Sequence, residues 1–473
     1  MKVMHWIPGT VSSIVAVILL GGCGQETESP SPVAQRESAV ADCRDCNVVF
    51  VVSDTLRAQQ LGLYGYDRPT SERLDRLGNE GAWFEYAQSQ ASCTYPSAHS
   101  MLTGLYPARF LGKRINRVPE EIPIMAEIFR ENGYATYGVS GSPIVTSVPN
   151  QFSQGGFERG FDEWTQSECE EEDCTWRFTP RAATINSHGL PHLAAEQPFF
   201  LYLHYMDAHT PLQSPLDEFS GESTSQYAWL NEGNTNPLEN MFYSGGPRIE
   251  MTGDDRAHMV NQYDDEVLYF DQSVGVLLDE IERLGLAENT IVVVAADHGE
   301  EMLEHESVKH CHTLYDTETR TPLIFRIPGV SPGRIQHAAG NVDILPTLID
   351  FVGIDDSPYA LEGISLRASL TGKGRSREHV FSAQGSLRSV SDGRYHLIYD
   401  LESDSVELFD RVADPAEKKD LSLREQGRAS ELLLPLRDWL ARIEGLGDSS
   451  TREEALEKAR VVEEHLKAIG YVD

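Results

Sequence analysis

Positive charge is scarce in this chain of 473 residues. Lysine and arginine together number 39, against 74 aspartates and glutamates, and the formal net charge at pH 7 is −35. A surface of this sign repels a phosphate backbone or an anionic lipid face, which excludes general binding to nucleic acid. An anionic substrate would therefore need a local source of positive charge, and a bound metal ion is the obvious one.

The N-terminal region has no apolar run long enough to cross a bilayer. Its uncharged segment 11–20 is followed by two glycines and Cys23. A run of this length is typical of a secretory signal, and small residues directly before a cysteine resemble a bacterial lipoprotein signal. We expect a signal peptide over 1–22, a lipid on Cys23 and a tether over 23–42, which would anchor the protein to a membrane of the bacterial cell envelope, on its periplasmic or surface side. An ordinary signal peptide with an incidental cysteine is the alternative.

Cysteines are few, seven in all and six without Cys23. In an exported protein such cysteines can pair. Two pairs lie close in sequence and predict local disulfides, Cys43 with Cys46 and Cys169 with Cys174. A zinc site is the alternative for the first pair. The two cysteines left over, Cys93 and Cys311, are interpreted as packing residues, with a disulfide between them as the minor alternative.

Short apolar segments predict the fold. Five of them, rich in β-branched and aromatic residues, are continuous rather than alternating and so predict buried, mostly parallel strands: 47–53, 134–140, 198–205, 290–296 and 322–327. Helical patterns lie between them, the clearest over 267–284 with apolar residues at spacings of three and four. The alternation predicts an α/β fold, a mostly parallel sheet flanked by helices. We expect a catalytic domain over 43–372, with a polar insertion over 212–260, and a smaller C-terminal α+β domain over 373–473. In the smaller domain, short extended segments at 395–400 and 405–410 are followed by amphipathic helices predicted at 429–444 and 452–468.

Metal-capable side chains follow three of the predicted strands. The segments are Ser53-Asp54, 204–209 (HYMDAH) and 297–301 (DHGEE). In open α/β sheets ligands bind beyond the carboxyl ends of the strands. Carboxylate and imidazole donors gathered at one sheet edge predict a divalent cation, zinc or manganese, or calcium where oxygens dominate.

Thr94 is a candidate for contact with an anion. Pro96 follows it by two residues and a helical stretch comes next, which puts the Thr94 hydroxyl at a helix N-terminus. The helix dipole and free backbone N–H groups favour an anion there. For this segment alone, a plain helix cap is the alternative.

An ordered series of motifs resembles the sulfatase family of the alkaline-phosphatase superfamily, from residue 47 to about residue 420. The matching segments are 54–57 (DTLR), 61–66 (LGLYGY), 96–97 (PS), 102–107 (LTGLYP), 131–136 (ENGYAT), 204–211 (HYMDAHTP), 297–300 (DHGE), 312–316 (HTLYD), 322–324 (PLI), 343–348 (DILPTL) and 407–410 (ELFD). The resemblance implies an alkaline-phosphatase-like fold and the hydrolysis of sulfate or phosphate esters, small or polymeric.

The resemblance also implies a bound divalent cation, Ca, Mn or Zn. The residues that match the family's metal positions are Asp54, Asp297 and His298, with the nucleophile as a further ligand. In this chain the residue at the nucleophile position is Thr94.

Histidines further along match positions near the reacting group. His209 and His312 correspond to residues that hold sulfate or phosphate oxygens or assist the leaving group, so both are expected to be catalytic. Lys309 and His310 are close enough in sequence to bind substrate with them, a solvated surface charge being the alternative for Lys309. A second metal site of Asp207, His209 and His312, as in two-metal relatives, is a further alternative.

The chain departs from the family at the Cys-x-Pro-x-Arg motif. Thr94 stands where relatives have the cysteine that is oxidised to formylglycine, and Ala98 stands in place of the arginine, so formylglycine is not expected. Many relatives also have a lysine where this chain has Cys311. Three residues are candidates to supply the missing charge: Arg57, His99 and Lys113. Arg57, like Asp316, has a structural ion pair as its alternative role.

The departure changes the expected chemistry. A formylglycine hydrate has a second hydroxyl that can expel sulfate, whereas threonine has none, so an ester on Thr94 must be cleaved by water at sulfur or phosphorus. We predict a metal-dependent ester hydrolase, with more weight on phosphate esters than the family resemblance alone gives. The alternatives are a phosphoryl-group transferase and a catalytically silent binding lipoprotein that keeps the metal pocket.

Overall fold

The computed structural model describes residues 43–109, 117–150, 153–167, 180–195, 198–221 and 252–444. The described residues belong to one compact unit, 39–473. No helix among them is both long and apolar enough to span a membrane. Several predictions fall outside the described residues: the signal, lipid and tether over 1–42, the placement of Lys113, the Cys169–Cys174 pair, most of the insertion, and a helix expected at 452–468.

Ten strands occur in the catalytic part of the described chain: β1 Asn47–Ser53, β2 Ala82–Gln88, β3 Ala135–Ser140, β4 Glu163–Gln166, β5 Phe199–Tyr205, β6 Thr290–Ala296, β7 Glu301–Met302, β8 Val308–Lys309, β9 Leu323–Arg326 and β10 Gly333–Gly340. Strands β7 and β8 form a small hairpin, and the others form one sheet in the order β10-β2-β9-β6-β1-β5-β3-β4. Only β9 pairs antiparallel with its neighbours, β2 and β6. The predicted α/β architecture with a mixed, mostly parallel sheet is confirmed.

The sheet is covered on both faces, as a continuous apolar strand requires. In β1 the side chains of Val48, Phe50 and Val52 pack into one hydrophobic core. The alternate residues Val49 and Val51 pack into a second core on the opposite face. All five side chains have no exposed surface. The predicted bounds of β1 and β6, 47–53 and 290–296, agree with the structure to the residue.

Nine α-helices occur among the described residues: α1 Glu72–Glu80, α2 Thr94–Thr103, α3 Met125–Glu131, α4 Ala182–Gly189, α5 Gly253–Arg283, α6 Asp316–Thr319, α7 Ile344–Val352, α8 Arg367–Leu370 and α9 Gln426–Trp439. The long α5 begins at a capping box in which the Thr252 hydroxyl accepts from the Asp255 backbone N–H. Its predicted apolar stripe, including Val267, Phe270 and Val274, is buried in the second core.

Strands β2 and β10 pair in parallel at one end of the sheet, and neither was predicted from the sequence. A charged residue interrupts β2: Glu85 pairs with Arg334 and accepts from Gln336 Nε2, 3.0 Å away, both on β10. A strand that places a carboxylate in a cross-strand pair does not read as an apolar run.

The C-terminal part is a four-stranded antiparallel sheet with one long helix. Its strands are β11 Val380–Gln384, β12 Leu387–Ser391, β13 Tyr395–Asp400 and β14 Val406–Asp410, and they pair in that order. Helix α9 packs Trp439 against Phe381 of β11, with ring centroids 5.3 Å apart. The two segments predicted to be extended correspond to β13 and β14, so the α+β character is confirmed, while the boundary at 372 stays a prediction.

Candidate functional site

The central strands β6, β1 and β5 are parallel neighbours, so their carboxyl ends meet at one edge. Asp54 follows β1, and its backbone N–H donates to the carbonyl of Tyr205 at the end of β5 (2.9 Å). Asp297 follows β6, and its Oδ1 accepts from the backbone N–H groups of Thr55 (3.1 Å) and His298 (2.8 Å). The fold thus brings both carboxylates to the same edge from positions far apart in the chain.

Thr94 is the first residue of α2, as the position of Pro96 predicted. Its Oγ1 lies 3.4 Å from Oδ2 of Asp54 and 3.1 Å from Nε2 of His298. Nε2 of His298 is in turn 3.4 Å from Oδ2 of Asp297. The structure therefore places together the four residues that the resemblance implied as metal ligands.

His204 is a further residue of this cluster, and sequence reasoning assigned it no role. Its Nδ1 lies 2.7 Å from the Tyr202 hydroxyl, and its Nε2 lies 3.6 Å from Oδ2 of Asp54. Ligand atoms of Asp54, His204 and Asp297 all lie within 4.8 Å of one another. The signal was its place in 204–209, but a histidine inside a buried strand is usually a satisfied core residue.

The two aspartates have opposite pKa shifts. Burial and then the charge of Asp54 raise the pKa of Asp297 to about 6. Burial also opposes ionisation of Asp54, but His209, His204 and His298 outweigh it and hold its pKa below the usual range. Two buried carboxylates at close range repel each other unless a positive group lies between them.

The unsatisfied atoms at this edge fit a cation. Oδ1 of Asp54, Oδ2 of Asp297 and Nε2 of His204 are buried and have no hydrogen-bond partner among the described residues. Buried polar atoms are normally bonded, so three of them on neighbouring metal-capable side chains need a partner. Carboxylate oxygens with imidazole nitrogens are a donor set suited to a divalent metal ion.

A second group of side chains lies beside the first. The His310 ring is centred 4.5 Å from that of His298 and 5.2 Å from that of His209. Nδ1 of His310 lies 3.2 Å from Oε1 of Glu300, whose Oε2 is buried without a partner in the described part of the chain. Burial raises the pKa of Glu300 to about 7. Glu300 was quoted in the DHGE motif but was given no role.

His312 is half-buried on the loop that follows β8. Its backbone N–H donates to Oε2 of Glu318 (3.1 Å). Burial, with the nearby charges of His310 and Lys309, lowers its pKa to about 4. The charge of Lys309 also acts on His209. His209, Lys309, His310 and His312 thus share one neighbourhood, beside the metal-capable residues.

Two predicted substrate-binding residues, Arg57 and His99, have other partners in the structure. Nη1 of Arg57 donates to the Glu300 carbonyl (3.1 Å) and pairs with Glu304 at 2.9 Å, so its charge is used in a buried ion pair. His99 packs against the rings of Tyr95 and Phe157, at centroid distances of 4.3 and 4.5 Å. Burial lowers the pKa of His99 to about 4, so it brings no positive charge at neutral pH.

Within the described part of the chain, Asp207, His209 and His312 do not come together as a group of metal-capable side chains. Oδ1 of Asp207 lies 3.7 Å from Nη1 of Arg181, which also pairs with Glu266 at 2.9 Å. Burial and the charge of Glu266 raise the pKa of Asp207 to about 8. The carboxyl group of Asp207 therefore lies beside this ion-pair group.

The cysteines resolve in two ways. Cys43 and Cys46 form the predicted local disulfide, which excludes the zinc alternative for that pair. Cys93 and Cys311 also form a disulfide, so their interpretation as ordinary packing residues was wrong. The structure bears out the minor alternative, a disulfide between residues that are 218 positions apart in the sequence.

Two protein-family models match segments of this chain. Residues 46–354 match the family model described as Sulfatase. The chain belongs to the sulfatase family. Residues 309–444 match a second model, N-sulphoglucosamine sulphohydrolase, C-terminal. This sulfatase-family protein is accordingly a sulfatase-like ester hydrolase.

Named relatives are similar over most of their length. Delta 4,5-hexuronate-2-O-sulfatase of Bacteroides thetaiotaomicron is 24% identical over 417 residues, covering 80% of this chain and 84% of the relative. Human arylsulfatase A is 25% identical over 444 residues, covering 80% and 79%. The structure of a 2-O GAG sulfatase superimposes with a TM-score of 0.67 at 21% identity, covering 86% of this chain and 96% of that one. The phosphonate monoester hydrolase of Agrobacterium radiobacter gives 0.64 at 17% identity, covering 83% and 95%. The two structures share the fold.

Proposed function

We propose that this sulfatase-family protein is a metal-dependent hydrolase of sulfate or phosphate esters that uses Thr94 as its nucleophile. One observation carries the proposal: the Thr94 hydroxyl lies 3.1 Å from His298 and 3.4 Å from Asp54, beside buried carboxylate oxygens that have no partner among the described residues. An alcohol placed in such a cluster is a candidate for activation as a nucleophile.

Asp54, Asp297 and His298, with Thr94, would hold the cation, and His204 is close enough to contribute. A divalent ion bound there lowers the pKa of an adjacent alcohol and stabilises negative charge on ester oxygens. Apart from its imidazoles, the described site has the ammonium group of Lys309 as its side-chain positive charge, which acts on His209 and His312. The chain therefore depends on the ion more than relatives with an arginine at the place of Ala98.

The other steps of the reaction are assigned to residues of the chain. The Thr94 hydroxyl loses its proton to solvent, and its oxygen attacks sulfur or phosphorus in line with the leaving oxygen, whose bond to sulfur or phosphorus breaks. The backbone N–H groups at the start of α2, with His209 and Lys309, hold the equatorial oxygens, on which negative charge is spread. Water then cleaves the ester on Thr94 and releases the inorganic anion.

His312 protonates the leaving oxygen, and His310 is the second candidate for this role. Burial keeps His312 neutral in the free protein. A bound anionic ester favours the charged imidazole, so the proton is taken up as the substrate arrives. Proton donation of this kind matters most for esters with poor leaving groups.

Threonine also bears on the substrate. Relatives carry names that refer to sulfated sugars, such as the Ulvan-active sulfatase of Formosa agariphila, 26% identical over 414 residues and matched over 79% of this chain and 76% of the relative. Thr94 has no second hydroxyl to expel sulfate, which favours esters whose intermediate water can cleave. We therefore propose two classes of substrate: sulfate esters, which include sulfated saccharides, and phosphate esters.

The proposal includes export to the cell envelope, with a lipid on Cys23. Disulfides form and persist in oxidising compartments, and both pairs within the described residues are bonded. This agrees with export, whereas anchoring depends on the N-terminal segment alone. Mass measurement of the mature N-terminal peptide tests it, and an unmodified Cys23 would contradict the anchor.

The proposal is tested by nitrophenol release from 4-nitrophenyl sulfate and 4-nitrophenyl phosphate. Each assay is run with added calcium, manganese or zinc and again with chelator. We expect metal-dependent release that is lost in Thr94→Ala but kept in Thr103→Ala, a control in the same helix whose hydroxyl donates to the carbonyl of His99.

The other outcomes decide between the alternatives. Turnover that survives in Thr94→Ala rejects Thr94 as the nucleophile. No release from either ester with any of the three ions favours the binding lipoprotein. Release that rises with added alcohol acceptors favours a transferase.

A further inference from the structure

The Cys93–Cys311 disulfide joins the two segments that carry the proposed chemistry. Thr94 directly follows Cys93, and His310 and His312 flank Cys311. Cys93 is the residue before the first turn of α2, and Cys311 lies on the loop after β8. The bond thus connects the nucleophile segment to the proton-donor loop through one side chain on each.

Further contacts hold the same junction. The Cys311 backbone N–H donates to the Ser92 carbonyl (2.9 Å). Nε2 of Gln384, on β11 of the C-terminal sheet, donates to the Cys311 carbonyl (2.9 Å) and to Sγ of Cys93 (3.4 Å). Cys93 is fully buried and Cys311 is 7% exposed. A residue of the C-terminal sheet therefore makes hydrogen bonds to both cysteines of the disulfide.

The loop has an unusual backbone at this point. Lys309 and Cys311 have φ angles of +70° and +74°, in the left-handed region that favours glycine. Such conformations are unfavourable for residues other than glycine and persist only where the surroundings impose them. At Cys311 the side-chain bond and the two backbone hydrogen bonds are those surroundings.

We propose that the Cys93–Cys311 disulfide is a positioning element of the active site, which fixes the His310–His312 loop relative to Thr94. The inference rests on the proposed function. The disulfide takes no part in the reaction. It positions the histidine that protonates the leaving oxygen, and it positions Lys309 for contact with the anionic group of the substrate. A purely stabilising bond would give the same fold without this effect on the reaction.

The test compares two double variants in the full chain. Cys93→Ser with Cys311→Ser removes the proposed positioning bond, and Cys43→Ser with Cys46→Ser removes the other disulfide as the matched control. We expect kcat to fall about 10- to 100-fold in the first, with KM within about twofold, because small displacements of reacting groups are costly. The control should keep the wild-type kcat.

A second readout separates positioning from stability. Loss of proton donation slows poor leaving groups most, so the fall in kcat should be larger for a phenyl ester than for the 4-nitrophenyl ester of the same acid. A fall that is equal for both esters, or that follows the loss of melting temperature in both double variants, would overturn the proposal.

Hydrogen exchange gives a readout that does not need turnover. Backbone amides at 92–95 and 309–313 should exchange about tenfold faster in the Cys93→Ser, Cys311→Ser variant, while those of β1 and β6 do not change. If the wild type turns over no ester, the proposed function fails, and unchanged exchange in these segments would then reject the positioning role separately.

Gln384→Ala covers the case in which the double variant does not fold. It keeps the disulfide and removes the hydrogen bonds from Gln384 to Cys93 and Cys311. We expect kcat to fall about two- to fivefold at constant KM, and faster exchange over 309–313. Wild-type kcat together with wild-type exchange in this variant would overturn the proposal.

Discussion

Nε2 of His298 lies 3.1 Å from the hydroxyl oxygen of Thr94, although 204 positions separate the two residues in the chain. Thr94 begins α2 and His298 follows β6, so only the assembled sheet edge brings them together. The contact gives the hydroxyl a nitrogen partner and places it beside the carboxylates of Asp54 and Asp297. The first predictions concern this edge.

Asp297→Asn should abolish turnover and loosen metal binding together. The substitution keeps the shape of the side chain but removes one of the negative charges that a divalent cation requires. We expect kcat to fall about a thousandfold or more, with loss of bound metal in elemental analysis of the purified protein. Asp279→Asn, on the exposed face of α5, is the control. A variant that keeps both metal and activity contradicts the assignment.

Removal of metal should lower the stability of the wild type. Without a cation the buried carboxylates of Asp54 and Asp297 repel each other, and a ligand that binds only the folded state stabilises it by about 2.7 kcal/mol at a hundred times its Kd. Thermal unfolding with and without chelator should show a fall of several degrees that added metal reverses. Asp297→Asn should show a much smaller difference, and an equal difference in both proteins would place the metal elsewhere.

Gly299→Ala should damage the site by a steric route. A Cβ at Gly299 would lie 2.1 Å from the carbonyl oxygen of Thr317 in α6, and the Gly299 N–H donates to the Glu318 carbonyl (2.7 Å). The added methyl must push His298 and Glu300 away from α6, at a cost of about 1–3 kcal/mol. Urea unfolding and kcat measure the effect. Gly253→Ala has open space around its Cβ and should behave as wild type.

Arg411→Leu should destabilise the protein strongly. Arg411 is fully buried, with its Nη2 2.5 Å from Asp316 and its Nε 3.9 Å from Glu417. Its loss leaves two buried carboxylates without a cation, at a cost of about 3–5 kcal/mol. Arg394→Leu removes a more exposed pair with Asp410, which solvent screens, and should destabilise the protein much less. Urea unfolding of both variants tests this, and equal losses would contradict it.

The sequence predicted the residues whose local pattern already shows their role. Strands β1 and β6 are continuous apolar runs. The position of Pro96, two residues after Thr94, predicts that a helix begins near Thr94. The sequence indicated no role for His204 and offered the Cys93–Cys311 bond only as a minor alternative, because both depend on which distant segments become neighbours. The surroundings of Arg57 and His99 were not predictable for the same reason: Glu304 and Phe157 lie beside them only in the folded chain.

Asp271→Asn should change how stability depends on pH. Oδ1 and Oδ2 of Asp271 accept from the backbone N–H groups of Leu74 (2.8 Å) and Arg73 (3.1 Å) at the start of α1. Burial raises the pKa of Asp271 from 3.8 to about 7. Between these values the folded state binds more protons than the unfolded state, so this group's contribution to stability is full below about pH 4 and is lost as the pH rises to 7.

An asparagine side chain does not titrate in this pH range. The difference in the free energy of unfolding between the wild type and Asp271→Asn therefore isolates the titration of Asp271. We expect the free energy of unfolding of the wild type minus that of Asp271→Asn to be largest near pH 4 and to shrink by at least about 1 kcal/mol by pH 7, since one pKa unit corresponds to about 1.4 kcal/mol. Urea unfolding across this range measures it. Glu288→Gln, at an exposed position, should differ from the wild type by a constant. A difference for Asp271→Asn that stays constant or grows with pH would show that the buried carboxyl is ionised throughout and that its hydrogen bonds to α1 outweigh its burial.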